Sequence, residues 1–440
     1  METDSQLKWQ CTQETIRAAR ISQAKTVDST RGTCQQGVLD TAMAESLGIH
    51  IEGYVSPAFD GVRQAFAENF LRRNELGGAC CVYHQGEKVV DLWAGVRDKS
   101  TRAPWEEDTM VLVYSVTKGL AAMCLAVAHS RGWLDYEQRV CTYWPEFAQQ
   151  GKEVITVRQL LAHQAGLFAF DEPVDAGVVA DLDRLASVMA RQRPAWVPGA
   201  RQGYHAITLG FYESEILRRV DPQHRSLGNF FQDEIATPLG LDAYIRLPAS
   251  VPNCRLATLT KPNWKALLLH KGIPLRLIRA SFNRHSNFYR STAVNPGTEV
   301  VRDAQRIYAR DLEVPSAGGV CTARAIARAY SEFAVGGPNL RLHSDTLRAL
   351  SAPATPPSCG SYDECLLAHD VRYALGFTKP STFWPFGSEG SFGALGAGGA
   401  IGFADPKAGI GYAYVTSQMG TEFRGDPRDL ALRTAAYAAI

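Results

Sequence analysis

The stretch that most constrains this 440-residue chain runs from Val111 to Arg131, VLVYSVTKGLAAMCLAVAHSR. Its apolar start, Val111-Leu112-Val113-Tyr114, predicts a strand. From Val116 the residues read as an apolar helix through Leu120, Met123, Leu125 and Val127, with Gly132 where a C-cap is expected. A helix this apolar belongs in a core, yet its first turn carries Ser115 and Lys118. Three apart, these two share one helical face. The serine falls where free backbone N–H groups and the positive end of the helix dipole steady a developing anion. That combination predicts a serine nucleophile with an amine one turn away to handle its proton.

The S-x-x-K spacing alone is common. Ordinary residue usage yields about one or two such matches in a chain of this length, and here there are three: Ser5/Lys8, Ser22/Lys25 and Ser115/Lys118. The first two lie in a polar N-terminal stretch. Only the third opens a buried-type helix.

Residues 1 to 50 are polar, of mixed charge and weakly periodic, and read as an N-terminal extension with some helix. They lack the apolar h-region of a secretory signal. The main domain is expected over 51–440. The formal net charge of +1 gives no argument for nucleic acid, and the apolar run Ala121 to Ala128 is far too short to span a bilayer. Ten cysteines form no C-x-x-C pair, and Cys80 and Cys81 are adjacent. Buried free thiols and a cytoplasmic location are the expectation.

Phe59, Val62, Phe66 and Phe70 recur at helical spacing. Gly78 to Tyr83 and Lys88 to Trp93 are strand-like runs joined at His84 to Glu87, a hairpin. From about 134 to 319 the pattern is mostly helical, as an inserted lobe would be. Within it, Thr156 to Leu161 opens a helix ending in Ala162-His163-Gln164-Ala165-Gly166-Leu167. Pro198-Gly199 then turns the chain into Gly203-Tyr204-His205-Ala206. Near the C-terminus, Gly396 to Ala404 and Ile410 to Thr416 read as strands around the turn Asp405 to Gly409. The expected fold is α+β, one sheet made from both chain ends, flanked by helices and carrying the lobe, with the cleft between sheet and lobe.

Four features converge on that cleft: Ser115 with Lys118, Tyr204 after its Pro-Gly turn, the Gly-rich run Phe392 to Gly399, and His163. The histidine by itself reads as a structural residue. The ordered set S-x-x-K, L-L-x-H-x-x-G-L, Tyr-His-Ala and a Gly-rich strand closing on Phe-Ala-Asp-Pro resembles the serine β-lactamase and penicillin-binding-protein superfamily. In detail it is similar to the class C-like branch, which includes family VIII carboxylesterases. The likeness covers roughly 53–419.

The resemblance implies Ser115 as the acylated nucleophile and Lys118 as an amine whose pKa is depressed by burial. Tyr204 would be general base toward Ser115 and acid toward the leaving group. The backbone N–H groups of Ser115 and Ala397 would form the oxyanion hole. Ala394, Gly396 and His205 would contact substrate. Two departures from the family pattern bear on substrate. Ala394 stands where a Lys or His usually opens the third motif, and Ala206 stands two residues past Tyr204 where Asn or Ser is common. Without that cation the usual anchor for a carboxylate is missing, which favours a neutral ester.

The expected activity is therefore a serine carboxylesterase acting on small esters, with no cofactor, no metal and no nucleic-acid partner. An acyltransferase of the same fold, a weak β-lactamase and a non-catalytic binding protein that kept the fold are the alternatives. The chain has no G-x-S-x-G elbow and no H-x-H-x-D-H metal run. One segment stands apart: residues 254–290 hold eight Lys or Arg and no acid. Solvated bases paired elsewhere in the fold are one reading. A lid with peripheral contact to an anionic membrane surface is the other.

Overall fold

The computed structural model describes residues 48–262, 274–294, 310 and 312–440. The expected N-terminal extension up to 47, and the centre of the basic segment, lie outside the described residues. The first strand, β1 (Glu52–Val55), is followed by helix α1 (Asp60–Arg72) and then a hairpin of β2 (Gly77–His84) and β3 (Glu87–Gly95). Gln85 and Gly86 take the positive φ angles of its two-residue turn. After β4 (Val111–Leu112) comes helix α2 (Val116–Ser130), the apolar helix expected from the sequence. Gly132 follows at φ +74°.

Short helices and loops come next. Among them are α3 (Val157–Leu161), closed by a Thr156/Gln159 capping box, and α4 (Thr208–Val220). The two-residue strands β5 (Ala243–Tyr244) and β6 (Val320–Cys321) join β4 in a small sheet ordered β4-β6-β5. Between them lie α5 (Leu275–Phe282) and α6 (Asn287–Ala293). After β6 run α7 (Ala323–Ala334), α8 (Ser344–Ser351) and strands β7 (Tyr373–Ala374), β8 (Phe377–Thr378), β9 (Phe392–Leu395), β10 (Ile401–Asp405) and β11 (Ile410–Thr416). Helix α9 (Pro427–Tyr437) follows them.

The main sheet is ordered β1-β3-β2-β11-β10-β9-β8-β7. The two ends of the chain meet where β2 pairs antiparallel with β11, Cys81 opposite Ala413. Alternation along β2 explains the adjacent cysteines: Cys80 points into the face covered by α1 and α9, Cys81 into the face covered by α2 and α7. The eight described cysteines are free. Helix α7 lies close to the sheet because β10 and β11 offer it glycines. A Cβ on Gly402 would come within 2.4 Å of Ile326, and one on Gly411 within 2.3 Å of the Ser331 nitrogen. Among the described residues no helix is long and apolar enough to cross a membrane.

The structure corrects one strand. Gly396 to Ala404 is not continuous: β9 ends at Leu395, a turn occupies 396–400, and β10 begins at Ile401. Gly398 and Gly399 adopt φ +90° and +110°, backbone angles that break a strand and that only glycine enters freely. A buried ionic cluster braces this turn. Arg428, 3% exposed, pairs with Asp426 at 2.6 Å and Glu75 at 3.3 Å, and Asp426 packs against Gly399.

Replacing Arg428 with Ala leaves Glu75 and Asp426 buried without their cation. The expected cost is about 3–5 kcal/mol, read as a lower urea midpoint at unchanged slope. An unaltered midpoint would show that the cluster is not the brace.

Candidate active site

The site begins with backbone geometry ahead of α2. Tyr114 is held at φ +45°, a conformation unfavourable for a bulky residue and concentrated at functional sites. Thr117 locks it, donating from its hydroxyl to the Tyr114 carbonyl and accepting the Gly319 N–H at 2.8 Å. Ser115 follows at the helix start. Its side chain makes no capping hydrogen bond and is half-exposed.

Lys118 is 3% exposed. Its Nζ donates to the carbonyls of Ala206 at 2.5 Å and Ser316 at 3.0 Å, and lies 3.1 Å from Ser115 Oγ. Burial lowers its pKa to about 7, because the charged form loses hydration. Glu213, on the buried side of α4, opposes that shift. Both of its carboxyl oxygens lack a hydrogen-bond partner among the described residues, and burial pushes its own pKa well up. Nothing in the sequence marked Glu213. It reads there as one acid in an ordinary amphipathic helix.

Tyr204 comes to the same point. Its ring lies 4.8 Å from Lys118 Nζ, and the Ser115 side chain favours the phenolate and so opposes the effect of burial on its phenol. Burial raises its pKa well above the ordinary phenol value. Two sequence motifs zip together to hold it: Gly203 N–H donates to the His163 carbonyl at 3.0 Å, and His205 N–H donates to His163 Nδ1 at 2.9 Å. The ring of His163 packs edge-on against Tyr373 at 4.3 Å. Its structural reading fits this placement.

Asp363, also missed in the sequence, completes the support. Fully buried, its carboxylate accepts from the N–H groups of Tyr204 (3.2 Å), Cys365 (2.9 Å) and Leu366 (2.7 Å) and from the Tyr373 hydroxyl (2.9 Å). The Tyr373 ring in turn stacks on Tyr204 at 5.8 Å. From the other side, the Ser291 hydroxyl donates to the Tyr204 carbonyl and accepts the Ala206 N–H.

The Gly-rich segment reaches the nucleophile through Gly396, where a Cβ would sit 2.3 Å from the Val113 carbonyl oxygen. Only glycine permits that approach. Gly396 N–H closes the turn onto the Ala400 carbonyl, whereas the N–H groups of Ser115 and Ala397 donate to no acceptor among the described residues. Ala397 is exposed.

Two residues expected to contact substrate lie buried. His205 is fully buried; its Nε2 accepts the Leu167 N–H at 2.9 Å and its Nδ1 bonds the Gly203 carbonyl at 2.6 Å. Both ring nitrogens are spent on backbone, so none remains for a ligand. Ala394 is 3% exposed, and its methyl faces Gly119 on α2, 3.3 Å from where a Cβ there would lie. It fills space behind the site.

Known proteins resemble this chain over most of its length. A family profile described as Beta-lactamase matches residues 62–436. Esterase/beta-lactamase LipL of Mycobacterium tuberculosis (strain ATCC 25618 / H37Rv) is 33% identical over 378 residues, 84% of each chain. The crystal structure of a family VIII carboxylesterase is 36% identical, with a TM-score of 0.77 over 89% of this chain and 100% of that one. A penicillin-binding-protein homolog from Caulobacter crescentus is 33% identical, with a TM-score of 0.75 over the same shares.

Asp363→Ala strips an acceptor from three buried N–H groups and one hydroxyl. It is expected to destabilise the fold by on the order of 3 kcal/mol, with Asp363→Asn recovering part of that. Urea unfolding of both variants measures it. Equal stability of Asp363→Ala and the parent would mean the carboxylate does not hold this wall.

Proposed function

The chain belongs to the beta-lactamase family, and from that premise we propose that it hydrolyses small carboxylic esters through an acyl-enzyme on Ser115. One observation carries the reading: the three-way coordination of Lys118 Nζ by Ser115 Oγ and the carbonyls of Ala206 and Ser316. A neutral amine has two N–H bonds and one lone pair. The two carbonyls take the N–H bonds, which leaves the lone pair facing the serine hydroxyl. With a pKa of about 7, that neutral form is well populated near neutral pH.

Lys118, rather than the Tyr204 suggested by family resemblance, fits the proton-accepting role, because burial keeps Tyr204 a neutral phenol. Ser115 Oγ attacks the ester carbonyl carbon as its proton passes to Lys118 Nζ. The N–H groups of Ser115 and Ala397 receive the developing oxyanion. The tetrahedral species collapses, the C–O bond to the alcohol breaks, and Tyr204 hands a proton to the departing alkoxide, regaining one from Lys118. Water then repeats the sequence on the acyl-enzyme, releasing the carboxylic acid and free Ser115. The preference for neutral esters is expected because the third motif, opened by the buried Ala394, supplies no carboxylate-binding cation. It is supported by relatives named as an esterase/beta-lactamase and a family VIII carboxylesterase.

Turnover of p-nitrophenyl butyrate should exceed that of a β-lactam such as nitrocefin. A fluorophosphonate should label the parent but not Ser115→Ala, which should lose turnover while unfolding normally. Activity that survives Ser115→Ala would sink the proposal. Since the base acts as a neutral amine, kcat/KM should rise with pH through an apparent pKa of about 7. A rate that is flat between pH 5 and 9, roughly two units either side of that value, would assign the proton to another group.

Lys118→Ala and Tyr204→Phe should each lose about two decades or more in rate, and the double variant far less than the product of the two. Multiplying losses would show that the two side chains do not share one proton path.

A further inference from the structure

The five arginines of the basic segment fall into two populations. Arg255 pairs with Asp108 and Asp242, and Arg290 with Asp171. Those bases have counter-charges elsewhere in the fold. Arg276, Arg279 and Arg284 are exposed and have no ion pair among the described residues. The first two sit on α5, whose exposed side is also unusually apolar. Leu275 is 72% exposed and Phe282 81%, the highest value among the exposed large apolar side chains of the described residues.

Their arrangement is what distinguishes the helix. Successive residues advance by about 100°, so Leu275 and Phe282 lie within about 20° of each other, with the half-buried Ile278 about 60° to one side. Arg279 and Arg276 fall about 40° and 100° to the other side. Leu277 and Ala280 point the opposite way and are buried. The helix is thus anchored inward by one apolar pair and shows the outside a second apolar strip bordered by arginines. A helix serving only the core has no use for the second strip.

We propose that the outward face of α5 docks on an anionic lipid surface, with Leu275 and Phe282 entering the headgroup–acyl boundary and Arg276 and Arg279 meeting lipid phosphates. The charge pattern selects this occupant. An apolar protein groove would take the Leu/Phe strip but leave the two arginines without counter-ions, whereas an anionic bilayer supplies both environments along one line. Arg284 and His285, exposed just beyond the helix, extend the basic edge. The inference does not depend on the hydrolase reading, since none of these residues belongs to the Ser115 site.

The test is co-sedimentation of the full chain with phosphatidylcholine vesicles, with and without phosphatidylglycerol, at low and high salt. Binding should require phosphatidylglycerol and weaken with salt. Phe282→Ser should lower partitioning about tenfold, and Arg276→Gln with Arg279→Gln about fivefold per charge. Both variants should keep parental turnover of a short soluble ester. Three results overturn the proposal: no binding, binding equal on neutral vesicles, or binding unchanged in the Phe282→Ser variant. A concentration-dependent dimer that Phe282→Ser abolishes, without vesicle binding, also overturns it and assigns the face to a second copy of the chain.

Discussion

One nitrogen atom organises the centre of this protein. Lys118 Nζ is held by its own helix neighbour Ser115, by the Ala206 carbonyl and by the Ser316 carbonyl, so three distant parts of the chain must meet for its valences to be filled. A buried ammonium without such partners would be prohibitively costly. The site therefore exists only when the lobe carrying Ala206 and the strand lead-in carrying Ser316 are both seated against α2. The low pKa of the amine follows from the same burial.

Tyr204 depends on a different kind of support. Its backbone is bonded on one side to Asp363 and on the other to Ser291, and its ring is stacked on Tyr373 and flanked by His163. Moving the residue would break both backbone bonds and separate the stacked rings. Placement of this kind is what the proton transfer proposed for Tyr204 would demand, since the gain from a general acid or base falls away when its reach is lost.

Local rules explain which parts were legible in the sequence. The α2 helix, the β2–β3 hairpin and the start of α3 are written in spacing and turn residues, and each appears where those signals put it. Ser115, Lys118 and Tyr204 were visible as polar residues at element starts. Asp363 and Ser291 were not, because they reach Tyr204 across 159 and 87 residues, and no periodicity encodes such a contact. His205 misled for the same reason: beside Tyr204 in sequence, its ring turns inward to the Leu167 and Gly203 backbone. The Gly396 to Ala404 run failed as a strand because alternation is silent on φ, and Gly398 and Gly399 bend it.

The surface of α5 and the clamp on Tyr204 belong to one short structural unit. Helix α5 passes to α6 through an elbow in which Ser286 donates to the Ala280 carbonyl at 2.6 Å and accepts the Tyr289 N–H at 3.1 Å. Its hydroxyl thus closes one helix and starts the other. Five residues after Ser286, Ser291 makes the bond that fixes the Tyr204 carbonyl. The same helix carries Arg290, which pairs with Asp171 and lies over the Phe168 ring, on the loop that follows His163. The two elbow bonds run through one hydroxyl, so the outward face of α5 lies one short helix away from the serine that clamps Tyr204.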